Sequence, residues 1–250
     1  MFEEWLMSLD DKNPRYISKK ISKKEFSIEL AYHEASHLIF QRLIHKLDLD
    51  FNEPINIFID SKNEQNAGCV HGFGASGLVY NSRLIDEDDI KAFYTDKKER
   101  LFSDCLQYLS GNTSYKAFID STTEYYISDS DINMSEYEMK MYKLDTVPDN
   151  QEGVDDFFKV KKRLQYIDVF DKKSKYSFYQ KFTADVLKIM GIRAVELSIR
   201  YVKNHLLRND GKLIQGKYFQ EIKEFVDELI KNVSISPFLN KYLNESAQIE

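Results

Sequence analysis

Glycine and proline are scarce in this chain, at 9 and 4 of 250 residues, so turns and short irregular connections are few and long regular elements are favoured. Cysteine is scarcer still. Cys69 and Cys105 form no CxxC pair, which excludes a disulfide framework and a four-thiolate metal site, and fits a reducing, cytoplasmic location with both thiols in the core. No run approaches the ~18 consecutive apolar residues of a membrane-spanning helix. The opening Met1-Phe-Glu-Glu-Trp5 is acidic where a secretory signal begins basic, so a soluble chain without a membrane partner is expected. Nor is there an excess of basic residues. The 35 Lys and Arg face 41 Asp and Glu, a net charge of -6, and a nucleic-acid partner is not expected.

What is present is a globular composition, 42% hydrophobic and 30% charged, with 16 Tyr and 17 Phe. Residues 1–21 read as an N-terminal arm, and 22–250 as one domain. Ser22 followed by Glu25 is a capping box that opens a helix to about Leu47, with Phe26, Leu30, Ala31, Leu38, Phe40 and Ile44 at helical spacing. The run Ile55 to Asp60 alternates as a strand, and Gly77 to Tyr80 offers a second one, predicting a small antiparallel sheet. Helical spacing returns from Asp88 to Leu109, where Gly111 interrupts it. Ser128 with Asp131 resembles a capping pair for a helix over 131–143. Residues 144–176 read as an exposed connection with a short helix near Phe157 to Ile167. Phe178 to Leu207 and Tyr218 to Lys231 then read as two amphipathic helices joined at Asn209-Asp-Gly211. The fold class expected is mainly α with a small antiparallel β-sheet.

One motif carries chemistry. His33-Glu34-Ala-Ser-His37 is H-E-x-x-H inside the first helix. Residues four apart share a helix face, so His33 and His37 can each present a ring nitrogen to one Zn2+ at about 2.0–2.1 Å. Glu34, one position round the helix, can take a proton from the water such an ion activates and hand it to a leaving amine. Catalytic zinc generally has three protein ligands, so a third must come from elsewhere in the chain. Cys69 and His71, two residues apart at a strand end, read as incidental. Gly72-Phe-Gly-Ala-Ser-Gly77 matches G-x-G-x-x-G but leads into a strand, so it is not read as a dinucleotide site.

The stretch Ala31-Tyr-His-Glu-Ala-Ser-His37 resembles the motif helix of the zinc peptidase domain of FtsH-type ATP-dependent proteases. The strands at 55–60 and 77–80, the helix ending in Tyr108-Leu-Ser-Gly-Asn112 and the C-terminal helix pair fit that family's order. The resemblance implies an FtsH peptidase-like helical domain that hydrolyses peptide bonds. It also implies a third zinc ligand at an Asp opening a later helix, placed at Asp131 or, two residues earlier, Asp129. The segment Gly77, Leu78, Val79 and Tyr80 would hold substrate by backbone pairing. Family domains form rings, so a homo-oligomer is also implied. No G-x-x-x-x-G-K-[ST] loop is present, so the likeness is to the peptidase domain without its ATPase, acting on an unfolded or flexible peptide or protein. The alternative is a noncatalytic metal-binding or protein-interaction module with the same fold.

Overall fold

The computed structural model describes residues 23–47, 53–62, 68–71, 87–118, 156–169 and 172–246. In chain order these form α1 (Lys23–His45), β1 (Asn56–Ile59), β2 (Gly68–His71), α2 (Glu87–Asp96), α3 (Lys98–Phe118) and α4 (Asp156–Tyr166). Then follow α5 (Lys172–Met190), α6 (Arg193–Arg208), β3 (Ile214–Gln215), α7 (Gly216–Ile230) and α8 (Ser236–Ser246). The described part is mainly helical with a small antiparallel sheet. No helix among the described residues is long and apolar enough to cross a membrane.

Helix α1 is the centre of the fold. From Ala31 to Ile44 every residue but His33 is buried, so this helix is covered on nearly all sides rather than along one stripe. It packs on α3 and α6 and against β1, β2 and α7. Ala31 and Ala35, with no side chain beyond Cβ, are fully buried within that packing. At its far end Arg42 donates to Asp227 and Glu53, so its buried guanidinium is paired rather than orphaned.

The sheet order is β2-β1-β3, both pairings antiparallel. Ile57 opposes Val70 on one side and Ile214 on the other, and all three are buried. Ile55, expected on the same apolar face, is instead 64% exposed because it precedes the strand. The partner of β1 is Gly68–His71, whereas the second strand expected at Gly77 to Tyr80 lies outside the described residues. The turn at Asn209 to Gly211 forms as expected. Gly211 adopts φ +79°, which suits glycine, and its N–H donates to the Ile59 carbonyl at 2.8 Å, tying the turn to β1.

Two boundaries differ from expectation. The helix expected to stop near Gly111 breaks earlier, at Lys97, and α3 then runs through Gly111 to Phe118. The helix expected over 178–207 is two, α5 and α6, separated at Gly191, where helix propensity is low. Helix α3 is unusually polar for a buried helix. Ser103, Ser110 and Ser114 resolve this by donating to the carbonyls of Glu99, Gln107 and Gly111, one turn back. Aromatic packing of Phe102 with Phe178, Phe182 and Tyr242 locks α3 to α5 and α8, with the closest rings, Phe182 and Tyr242, 4.5 Å apart.

Helix α4 corresponds to the short helix expected near Phe157 to Ile167, but it is packed into the fold rather than part of an exposed connection. It carries Asp156, Val160 and Leu164 at a four-residue spacing, and all three are buried, with α4 packed on α3.

Candidate metal centre

His33 and His37 lie one turn apart on α1, with their rings edge-on at 4.6 Å between centroids. Their Nε2 atoms are 3.0 Å apart. The carboxylate that meets them comes from α4: Asp156 Oδ2 is 3.0 Å from His37 Nε2 and 3.2 Å from His33 Nε2. Among the described residues these three form the group able to share one metal ion. Asp131 and Asp129, the carboxylates considered from sequence, lie outside the described residues.

The triangle of donor atoms fits a small cation. Ligands about 2.0–2.1 Å from a tetrahedral zinc lie roughly 3.3–3.4 Å from one another, so the three edges are only a few tenths of an ångström short. These three donors, the set found among the described residues, would leave a four-coordinate ion one further position to fill. Two imidazoles and one carboxylate are also a donor set suited to zinc.

Two of the three donors are oriented by a neighbour. His37 Nδ1 is 2.9 Å from the Gln107 carbonyl on α3, which accepts a hydrogen bond and so turns the lone pair of Nε2 toward Asp156 and His33. Lys159 donates to the other oxygen of Asp156, Oδ1, at 3.0 Å. The close approach of α3 depends on Gly111. A Cβ there would stand 2.5 Å from His37 Nε2 and 2.7 Å from two ring atoms of His33, distances no ordinary side chain allows. Gly111 therefore does not end a helix. It makes room for the histidine pair.

Glu34 is buried, 5% exposed, and lies against β2: a Cβ at Gly68 would come 2.8 Å from its Cγ and 2.9 Å from Oε1. Burial pushes the Glu34 carboxyl above its ordinary range, and the two histidines pull the other way without cancelling it. Burial likewise opposes charge on His37, but the carboxylates of Asp156 and Glu34 outweigh it and raise its proton affinity. For Asp156, burial is overcome by His37, Lys159 and the histidine hydrogen bonds, so its carboxyl stays well below the usual range. The site thus holds an ionised Asp156 and a Glu34 with raised proton affinity. His33, with its side chain 23% exposed, is the one member of the Ala31–Ile44 run that opens toward solvent.

Of the residues singled out from the sequence, His33 and His37 lie in the group with Asp156 and Glu34 lies buried beside them, whereas Asp156, Gly68, Gly111 and Lys159 were not singled out for this site. The signal for Asp156 was present: an acidic pair, Asp155-Asp156, directly precedes the amphipathic run Phe157 to Tyr166, as helix N-termini favour. Compared with known protein families, with curated proteins and with solved structures, the chain matches none of them.

Proposed function

We propose that this chain is a zinc-dependent hydrolase of the peptidase type, with His33, His37 and Asp156 as ligands and Glu34 as the base. The observation that carries this reading is the triangle of Nε2, Nε2 and Oδ2 atoms with edges of 3.0, 3.0 and 3.2 Å on an H-E-x-x-H helix. A bound zinc ion would supply Lewis acidity, polarising a carbonyl and lowering the pKa of water to about 7.

The remaining chemistry belongs to the chain. Asp156 offsets the ion's charge, and the Gln107 carbonyl and Lys159 hold two of the ligands in orientation. Glu34 accepts a proton from the attacking water and returns it to the leaving amine. Burial raises its proton affinity, which favours holding the proton it accepts until the amine leaves. The approach is from the His33 side. The resemblance to FtsH-type peptidase domains supports the same arrangement, since it implies an Asp ligand opening a later helix. Asp156 is the first residue of α4, and in this reading it takes the part considered for Asp131 or Asp129. A flexible peptide remains the proposed substrate, with Gly77 to Tyr80 as its proposed backbone partner.

A second reading, a noncatalytic metal-binding or interaction module, is favoured by the burial of Glu34 beneath Gly68. One comparison separates the two. Digestion of an unstructured peptide library by zinc-loaded protein, abolished in Glu34→Gln with zinc retained, supports the peptidase. Zinc bound by a wild-type protein that cleaves nothing supports the module, and undiminished cleavage by Glu34→Gln removes Glu34 from its role.

A further inference from the structure

The two oxygens of Asp156 have separate partners. Oδ2 faces both histidine nitrogens, whereas Oδ1 accepts a hydrogen bond from Lys159 Nζ at 3.0 Å. Lys159 stands three residues along α4 from Asp156, so one helix supplies both the carboxylate and the cation that restrains it. The ammonium is itself held in place. It lies 4.8 Å from the centre of the Tyr108 ring on α3, and the Arg163 guanidinium lies 4.5 Å from the same ring. Arg163 donates to the Tyr108 hydroxyl, to Asp104 and to the Lys159 carbonyl, closing a network between α3 and α4. Beyond the contact of Lys159 with Asp156, this network has no part in the ligation or the proton transfer proposed above.

We propose that Lys159 is a positioning residue that confines Asp156 to one-oxygen ligation and so keeps a coordination position open for water. The inference rests on the reading of His33, His37 and Asp156 as a metal site. A carboxylate can bind a cation through one oxygen or through both. Here Oδ1 must leave an ammonium to become a second ligand, and the Tyr108 and Arg163 contacts keep that ammonium at its station. Without the cation, Oδ1 is released to swing toward the ion. A chelating Asp156 would then add a further donor beside the water, raising the coordination number to five and crowding the position in which water binds.

The test uses the full-length protein loaded with Co2+, whose visible absorption is intense in a four-coordinate site and weaker in a five-coordinate one. The wild type is expected to give the intense spectrum. Lys159→Met is expected to retain the ion but lose intensity, with kcat reduced roughly tenfold to a hundredfold. Lys159→Arg, which keeps a cationic donor, is expected to restore both. If Lys159→Met does not fold, Lys159→Gln carries the same comparison. An unchanged cobalt spectrum in the folded neutral variant overturns the positioning role while leaving the metal site standing. Failure of the wild type to bind Co2+ at all overturns the metal site and this inference with it.

Discussion

Gly111 on α3 lies so close to His37 on α1 that a Cβ added to it would stand 2.5 Å from the His37 Nε2. This places a requirement on a helix interior that helix propensity alone opposes. Alanine is the better helix former by roughly 1 kcal/mol, yet it has no room here.

The substitution Gly111→Ala is therefore expected to lower zinc affinity roughly tenfold to a hundredfold, as displaced ligand supports do. Overpacking should cost about 1–3 kcal/mol, partly offset by the propensity gain. Competition against a chelating dye and urea unfolding of the metal-free protein measure the two effects. A variant with parental zinc affinity would show that α3 does not set the ligand positions.

Gly68 bears the same relation to Glu34 that Gly111 bears to the histidines, but the atoms it meets belong to the end of a flexible side chain. Gly68→Ala should leave the fold and the zinc content intact while displacing Glu34, and, if Glu34 is the base as proposed, kcat should fall about tenfold or more. Zinc content and hydrolysis rate, measured on one preparation, check this. Equal loss of both would assign Gly68 to ligand support instead.

Away from the site, Glu53 gives a pH signature. The hydrogen bond from Lys223 is the largest influence on it, burial opposes, and Arg42 adds to the lowering, so its carboxyl titrates at about 2 against 4.5 for a free glutamate. Because the folded value is the lower, its contribution is present above about pH 4.5 and is lost as pH falls toward 2. The Glu53 side chain is 49% exposed, so salt should shrink the effect. Glu53→Gln should flatten the fall in urea midpoint across that acid range. A parental slope would contradict the pairing.

How legible the molecule was depends on how local each feature is. H-E-x-x-H is written within one helical turn, and it read correctly as two ring nitrogens on one face, 3.0 Å apart in the fold. The mainly helical class followed from scarce glycine and proline. Asp156 is 119 residues from His37, and nothing in either local sequence links them. Ser128 with Asp131 resembles a capping pair, and the family resemblance implies its third ligand at such a helix start. The Asp155-Asp156 pair sat in a stretch whose Pro148, Asn150 and Gly153 suggested solvent. Gly111 misled for a related reason: glycine usually punctuates a helix, and only the partner helix reveals that it is a contact. The strand β2 is as short as β1 but opens on Gly68 and lacks the β-branched and aromatic run that marks β1, and its pairing to β1 is a tertiary fact.

The central claim, that one cation is shared by two helices, is tested most directly by counting zinc. Protein purified without chelators and analysed by mass spectrometry of its metals should carry about one zinc per chain. His37→Ala and Asp156→Asn should each lose it while Asp131→Asn keeps it. A wild type that stays empty in excess zinc, or an Asp156→Asn variant that retains full occupancy, would contradict the account.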